Sequence, residues 1–208
     1  MTESVALTMN RNEASQKDLG YISLKGFDEK MRVFEALPKG DHSGSEDCAV
    51  LCTDIRAFTG DIDDDVPQWQ QVLALYDSIV FRHGLEHKGF FRYNVGDAYW
   101  ITFATAWDAL NAAIAMAKDL RLILGSSFIF AIHFGSVKSA RGRLYGSSVS
   151  RIPPSLLSKK RPAFTRAFYD RLIEEDPIKG SQLVIAERGE VAVRDSKRAI
   201  EYLAIEIP

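Results

Sequence analysis

The alternation of strand and helix patterns along the chain is the feature that most constrains its fold. Apolar residues recur every three or four positions over Val66–Glu86 and Ala106–Leu124, which predicts two long helices that each bury one face. Apolar runs typical of strands occur before, between and after these helices, at residues 49–53, 98–103 and 128–134. Such an alternation predicts an α/β (α+β) sandwich, in which helices cover a sheet.

Two aspartates stand at the ends of predicted strands. Asp54 follows the apolar run 49–53 and opens the motif Asp-Ile-Arg-Ala-Phe-Thr at residues 54–59, whereas Asp97 lies in a Gly-Asp turn between strands. If the two strands are neighbours, both carboxylates reach one edge of the sheet. Two carboxylates and a backbone carbonyl suit a hard divalent cation. Each aspartate also has a simpler explanation, since Asp54 could cap the next helix and Asp97 could shape its turn.

The order of the motifs resembles that of the class III nucleotidyl cyclases. The motif at 54–59 and the Gly-Asp turn are followed by an Ala-rich helix at 107–120, a strand with Gly-x-Val at 128–137 and the Tyr-Gly-x-x-Val motif at 145–149. The resemblance covers roughly two-thirds of the chain in the family's order, although each motif alone is weak. It implies a ferredoxin-type βαββαβ core and a homodimer in which each active site is shared between subunits.

The resemblance also implies a two-metal active site. In the family, the residues matching Asp54, Asp97 and the backbone carbonyl of Ile55 hold two divalent cations, Mg²⁺ or Mn²⁺. The backbone amides around Phe58 and Thr59, at a helix start, meet phosphate oxygens, a role that suits a helix N-terminus. The implied reaction is attack of the ribose 3′-oxygen on the α-phosphorus of a nucleoside triphosphate, with pyrophosphate as the leaving group.

Two positions that select the base in purine cyclases differ here. The family usually has Lys or Glu where this chain has Tyr93, and Asp, Thr or Cys where it has Arg143. A tyrosine fills more of the base pocket and removes a purine contact, so we expect a pyrimidine. The chain resembles the bacterial pyrimidine cyclases of the antiphage Pycsar system. Because Arg donates hydrogen bonds only and uracil offers two carbonyl acceptors, we expect UTP to be converted to cyclic UMP, with CTP as the alternative.

The segment after Gly146 departs from the family pattern. The family's Asn and its transition-state Arg are replaced by Ser150 and Pro154. Ser150 could contact the ribose instead, and Arg151 is the nearest candidate for the missing cation, although it could equally be an exposed helix residue. These departures leave two alternatives open: a catalytically silent cyclase-like module that binds nucleotide and dimerises, or a purely structural domain.

The N-terminal region is predicted to lie outside the catalytic domain, which we place at residues 45–208. Residues 1–20 are polar and unpatterned, which favours a mobile arm. Residues 21–40 are predicted to form a hairpin with Lys25 in its turn, similar to the hairpin that closes class III cyclase domains at the other end of the chain. Either this hairpin docks on the core with Lys25 near the triphosphate, or it is a surface hairpin and residues 202–207 supply the closing strand.

The C-terminal region is predicted to begin with a broken helix. Pro153 and Pro154 interrupt a helix that starts near Ser147, and the basic run at 159–161 marks a loop. A helix over 166–175 and strands at 183–186 and 202–207 follow from the apolar pattern.

Composition excludes several classes of function. The chain has 208 residues, of which 46% are hydrophobic, and a net charge of −2, so it lacks the basic balance typical of nucleic-acid-binding domains. Neither a signal peptide nor a membrane span is evident, and we expect a cytoplasmic protein.

The cysteines and histidines are predicted to be structural. Cys48 and Cys52 flank a buried strand and should be reduced core thiols. His83 and His87 lie one helical turn apart without a third ligand nearby, which disfavours zinc, and His133 is predicted to be a core or interface residue.

Overall fold

The computed structural model describes residues 14–22, 30–38, 44–55, 66–124, 128–140, 143–150, 152–157, 162–193 and 196–206. The chain divides into two compact units, a smaller one of residues 1–44 and 139–143 and a larger one of residues 45–138 and 144–208.

The smaller unit contains an antiparallel strand pair. Strand β1 (Ala14–Ile22) pairs with β2 (Met31–Pro38), in a register that joins Ala14 to Pro38 and Ile22 to Met31. The arm predicted over residues 1–20 is therefore a strand from Ala14 onwards, because backbone pairing with β2 does not require an apolar sequence. The turn that carries Lys25 lies outside the described residues. Docking of the hairpin on the core stays a prediction.

The larger unit is built on one sheet. Within the described residues the sheet has eight strands, with β4-β5-β3-β6-β8-β10-β9 as the order of neighbours and β7 paired to β6. Strands β3 and β4 both run antiparallel to β5, whereas β6 and β8 are parallel. The strands are β3 (Gly44–Ile55), β4 (Phe90–Val95), β5 (Ala98–Phe103), β6 (Phe128–Ala140), β7 (Arg143–Tyr145), β8 (Ala163–Thr165), β9 (Ile185–Ala192) and β10 (Ala199–Ile205).

The described helices include those predicted at 66–86, 106–124 and 166–175, and the helix Pro177–Ser181 was not predicted. They are α1 (Val66–Glu86), α2 (Ala106–Leu124), α3 (Ser147–Ser150), α4 (Ile152–Leu156), α5 (Arg166–Glu175) and α6 (Pro177–Ser181). The run β3-α1-β4-β5-α2-β6, with β4-β5-β3-β6 as the order in the sheet, is the ferredoxin-type βαββαβ arrangement. The predicted fold class is confirmed. Among the described residues, no helix has both the length and the apolar character that a bilayer crossing requires.

The main core lies between the sheet and the helices. Helix α2 buries five alanines, and these small side chains let it approach the sheet closely: Ala106, Ala109, Ala112, Ala113 and Ala117. The larger side chains of this core are fully buried, and each stabilises the fold by about 1.5–3 kcal/mol relative to exposure. They include Leu51, Tyr76, Ile101, Phe103, Leu110, Met116, Leu120, Phe130, Phe164, Phe168 and Leu203.

A smaller core covers the alternate residues of β3. Cys48 and Val50 pack with Val137, Leu144 and Val149, and Trp100 packs against this cluster. The Trp100 indole also donates a hydrogen bond to the Val149 carbonyl over 3.3 Å. Both cysteines are buried and free, as predicted.

The helix predicted to start near Ser147 is described as two, α3 ending at Ser150 and α4 beginning at Ile152. Pro153 and Pro154 lie in the first turn of α4, where backbone N–H groups have no partner within the helix, so proline is tolerated there. The late strands are displaced from their predicted bounds, since β9 begins at Ile185 and β10 at Ala199.

Candidate active site

The end of β3 and the β4–β5 turn come together at one edge of the sheet. The antiparallel register of β3 and β5 runs from Ala49 opposite Phe103 to Thr53 opposite Tyr99. The next residues of β3 therefore reach the Gly-Asp turn, and the Ile55 amide donates a hydrogen bond of 2.8 Å to Oδ2 of Asp97. The Asp97 carboxylate thus contacts the backbone of the residue that directly follows Asp54. Both aspartates are partly exposed.

The backbone of Gly96 determines where Asp97 stands. Only Gly96 and Asp97 separate β4 from β5, and Gly96 has a φ of 61°. Two-residue hairpin loops require left-handed backbone, which glycine adopts without the steric cost that a Cβ brings. The tight turn therefore directs Asp97 back toward β3.

A buried polar pair involves Thr53, the residue directly before Asp54 in β3. The hydroxyls of Thr53 and Tyr76 are 2.8 Å apart, and both residues are fully buried. Burial raises the pKa of the Tyr76 phenol well above its ordinary value, and the negative charges of Asp97 and Asp54 raise it further. Both aspartates therefore lie close enough to act electrostatically on the same phenol.

The pKa of a neighbouring thiol responds to the same charge. Burial raises the pKa of the Cys52 thiol well above its usual range, and Asp54 adds to that shift. Cys52 is fully buried, so its neutral thiol contributes no charge to the site.

A second hydrogen bond joins helix α1 to the same strands. The Tyr99 hydroxyl donates to Oδ1 of Asp77 over 2.7 Å, and burial is the main cause that raises the pKa of this phenol. Tyr99 is the cross-strand partner of Thr53. Sequence reasoning missed Tyr76, Asp77 and Tyr99, although a tyrosine at a core position of an amphipathic helix signals that its hydroxyl needs a partner.

The donor set at this edge fits a hard divalent cation. Asp54, Asp97 and the Ile55 carbonyl are all oxygen donors, as Mg²⁺ and Mn²⁺ prefer when water and phosphate oxygens complete the shell. A carboxylate has about four acceptor positions, so the hydrogen bond from Ile55 leaves Asp97 able to bind a cation. Within the described part of the chain, no group of three or more His, Cys, Asp or Glu side chains is placed to hold a metal alone.

The other predicted contacts are described only in part. Tyr93 lies in β4 with its backbone paired to Trp100, and Arg143 begins β7. Ser150 ends α3 as an exposed residue, and its hydroxyl donates to the Gly146 carbonyl over 3.0 Å. The side chains of Tyr93 and Arg143 lie outside what the structure describes, as do Lys25, Phe58, Thr59 and Arg151 entirely. Their roles stay predictions.

The histidines are placed as structural residues. Nε2 of His83 lies 2.8 Å from the Asp119 carboxylate of α2, in an arrangement that ties the two helices. His133 is buried, with Nδ1 2.9 Å from the Thr165 hydroxyl, and burial lowers its pKa to about 4. A core position for His133 is confirmed.

Comparison with known proteins places the fold. No protein-family model and no curated protein matches the sequence. The solved structure of the adenylyl cyclase CyaB from P. aeruginosa matches with a TM-score of 0.65 and 18% identity, covering 78% of this chain and 95% of that one. The guanylyl cyclase Cya2 matches with a TM-score of 0.66 and 14% identity, covering 79% of this chain and 93% of that one.

A third match is the guanylate cyclase domain of RhGC from Catenaria anguillulae, solved in complex with GTP. Its TM-score is 0.58 at 16% identity, and the match covers 79% of this chain and 98% of that one. The structural neighbours are thus class III adenylyl and guanylyl cyclase catalytic domains, and the chain has their fold. At these identities the likeness establishes the fold alone, so the chemistry has to be argued from the residues.

Proposed function

We propose that this protein is a nucleotidyl cyclase, which converts a nucleoside triphosphate to a 3′,5′-cyclic nucleotide and pyrophosphate. The observation that carries the proposal is the hydrogen bond of 2.8 Å from the Ile55 amide to Asp97, which holds that carboxylate beside Asp54 at the sheet edge. A helix cap or a turn residue explains either aspartate alone. Neither explains why the Asp97 carboxylate is bound by the backbone of the residue directly after Asp54, at the end of the strand that carries the other carboxylate.

Asp54, Asp97 and the Ile55 carbonyl would hold two divalent cations, Mg²⁺ or Mn²⁺. Such a pair makes a ribose 3′-oxygen a better nucleophile and neutralises the charge of the triphosphate. The protein supplies no nucleophile of its own, because the attacking oxygen belongs to the substrate.

The remaining predicted residues bind and orient the nucleotide. The backbone amides near Phe58 and Thr59 are assigned to the phosphates, Ser150 to the ribose, and Arg151 to charge that develops on the phosphates. Lys25 would reach the triphosphate only if the N-terminal hairpin docks on the core. The Tyr76 phenol is neutral at neutral pH, and burial raises its pKa further, so it adds no negative charge to the site.

The substrate we assign is UTP, and the product is cyclic UMP. This assignment follows from Tyr93 and Arg143, which stand at the positions that choose adenine or guanine in purine cyclases and carry groups that disfavour both. We assign the enzyme to a homodimer, in which Tyr93 and Arg143 of one subunit face Asp54 and Asp97 of the other. By its resemblance to the Pycsar cyclases, the product would be a second messenger for antiphage defence.

Two alternatives give different results in the same assay. A cytidylate cyclase would use CTP. A catalytically silent module would bind nucleotide and dimerise without turnover, an alternative favoured by Pro154, which lies in α4 at the position of the family's transition-state Arg.

The test is incubation of the pure protein with each of the four nucleoside triphosphates and Mn²⁺, followed by analysis of the nucleotide products. We expect cyclic UMP well ahead of cyclic AMP and cyclic GMP, and no product from Asp54→Asn. The matched control is Asp170→Asn, which removes an exposed carboxylate paired with Arg166 on α5. Cyclic AMP or cyclic GMP as the main product would contradict the assignment of a pyrimidine base. Absence of any cyclic product with all four substrates would contradict the proposal that the protein is a cyclase.

A further inference from the structure

Two hydrogen bonds fasten helix α1 to the strand pair that carries the aspartates. Tyr76 bonds to Thr53 of β3 over 2.8 Å, and Asp77 accepts from Tyr99 of β5 over 2.7 Å. The two helix residues are consecutive, and the two strand residues are cross-strand partners. The two hydrogen bonds therefore join two adjacent residues of α1 to one cross-strand pair of the sheet, Thr53 and Tyr99.

The Thr53–Tyr99 pair lies next to Asp54 in the sequence of β3. Thr53 immediately precedes Asp54, and the residue after Asp54, Ile55, donates its amide to Asp97. Successive side chains of a strand point to opposite faces, so anchoring Thr53 on the helix side fixes the direction in which Asp54 leaves the strand. Asp54 thus lies between Thr53, which is hydrogen-bonded to α1, and Ile55, which is hydrogen-bonded to Asp97.

Stability alone does not account for a polar pair at this position. Thr53 and Tyr76 are both fully buried, and valine with phenylalanine has nearly the same shape. Replacing both partners of a buried hydrogen bond by apolar groups of the same shape costs little and can stabilise a protein. The hydroxyls therefore need another explanation, and the carboxylates beside them provide it.

We propose that Thr53 and Tyr76 are positioning residues, which hold Asp54 and Asp97 in the arrangement that binds the divalent cations. This inference rests on the proposed function, because it assigns the pair to the metal site of the cyclase. Neither residue touches metal or substrate. They act through the backbone at the end of β3, as outer residues that orient metal ligands do in other proteins.

The test compares the double variant Thr53→Val/Tyr76→Phe with the wild type. Mn²⁺ binding is measured directly, from the electron paramagnetic resonance signal of free Mn²⁺ in a titration with the metal alone. We expect the double variant to bind Mn²⁺ about 10-fold more weakly, as is typical when an outer residue is lost. We expect its thermal midpoint to lie within about 3 °C of the wild type, because both hydroxyls are removed together.

A kinetic measurement separates positioning from a general loss of structure. The Mn²⁺ concentration that gives half-maximal product formation should rise about 10-fold in the double variant, while the KM for UTP at saturating Mn²⁺ stays unchanged. The matched control is Tyr202→Phe, which removes the hydroxyl of another buried tyrosine, bonded to Glu187 between β9 and β10. This control should leave both Mn²⁺ values unchanged.

The single variants keep the test decisive if the double variant does not fold. Thr53→Ser retains a hydroxyl and should bind Mn²⁺ like the wild type, whereas Thr53→Val should bind it more weakly. Equal Mn²⁺ binding by the wild type and the double variant, or by Thr53→Ser and Thr53→Val, would overturn the positioning role alone. A wild type that neither binds Mn²⁺ nor forms a cyclic product would overturn the proposed function as well.

Discussion

Asp97 has a structural role and a proposed catalytic role, and substitutions can separate the two. Its carboxylate accepts the Ile55 amide over 2.8 Å, and in the proposed enzyme it also binds metal. Asp97→Asn keeps an acceptor oxygen for that amide and loses the charge, whereas Asp97→Ala loses both. The two variants should therefore differ in stability and agree in activity.

The magnitudes follow from the hydrogen bond and from the charge. A hydrogen bond to a charged group contributes about 1.5–3 kcal/mol, and water that replaces the carboxylate at this partly exposed position offsets part of its loss. We expect Asp97→Ala to lose about 1 kcal/mol of unfolding free energy, a fall of about 2–4 °C in the thermal midpoint for a chain of this size. Asp97→Asn should lose less. Both should lose about 10³-fold in turnover, because about 4 kcal/mol of charge stabilisation disappears.

Differential scanning calorimetry measures the first effect, and quantification of cyclic nucleotide measures the second. If Asp97→Asn retained more than about a tenth of the wild-type turnover, a loss of under 1.4 kcal/mol, the charge of Asp97 would not be needed for catalysis. Equal destabilisation by Asn and Ala would contradict the structural role of its acceptor oxygen.

Three further predictions concern the turn, the dimer and the buried histidine. Gly96→Ala should lower the free energy of unfolding by about 1 kcal/mol in calorimetry and should lower activity, because its φ of 61° disfavours a residue with a Cβ. Nothing lies within 4 Å of the added Cβ, so the cost comes from the backbone alone, and Gly96→Asn should cost less. Mixing inactive Asp54→Ala with inactive Tyr93→Ala protein should restore part of the product yield through heterodimers with one intact site, and no recovery despite subunit exchange would argue for sites within one chain. Folding lowers the pKa of His133 from 6.5 to about 4, so between these pH values only the unfolded chain binds this proton. Denaturant titrations should therefore show up to about 3 kcal/mol of unfolding free energy lost as the pH falls from 6.5 to 4. The variant His133→Asn should reduce this loss.

The long helices could be predicted because their signals are local. The bounds of α1 and α2 match the amphipathic pattern at both ends. Strand β9 was harder, since Glu187, Arg188 and Glu190 are exposed on an edge strand that buries little apolar surface. Strand β1 was missed for a similar reason: its polar sequence carries no strand periodicity, and only the backbone pairing with β2 defines it.

The residues of the candidate site also differ in whether local sequence signals could predict them. The approach of Asp97 to the end of β3 could be anticipated, because Asp54 and Asp97 each follow or join a recognisable strand and only the adjacency of β3 and β5 had to be assumed. The Thr53–Tyr76 pair could not. A tyrosine in the buried stripe of a helix looks like any other aromatic core residue, and its partner is 23 residues away in sequence.

The metal dependence and stoichiometry of the reaction test the central claim most directly. Cyclic nucleotide and pyrophosphate are quantified together in one reaction with UTP, first with added Mn²⁺ and then with the metal chelated. We expect one pyrophosphate for each cyclic UMP, and loss of both products when the metal is removed. Release of phosphate or of a linear nucleotide as the main product, or product formation undiminished by the chelator, would contradict a metal-dependent cyclase at Asp54 and Asp97.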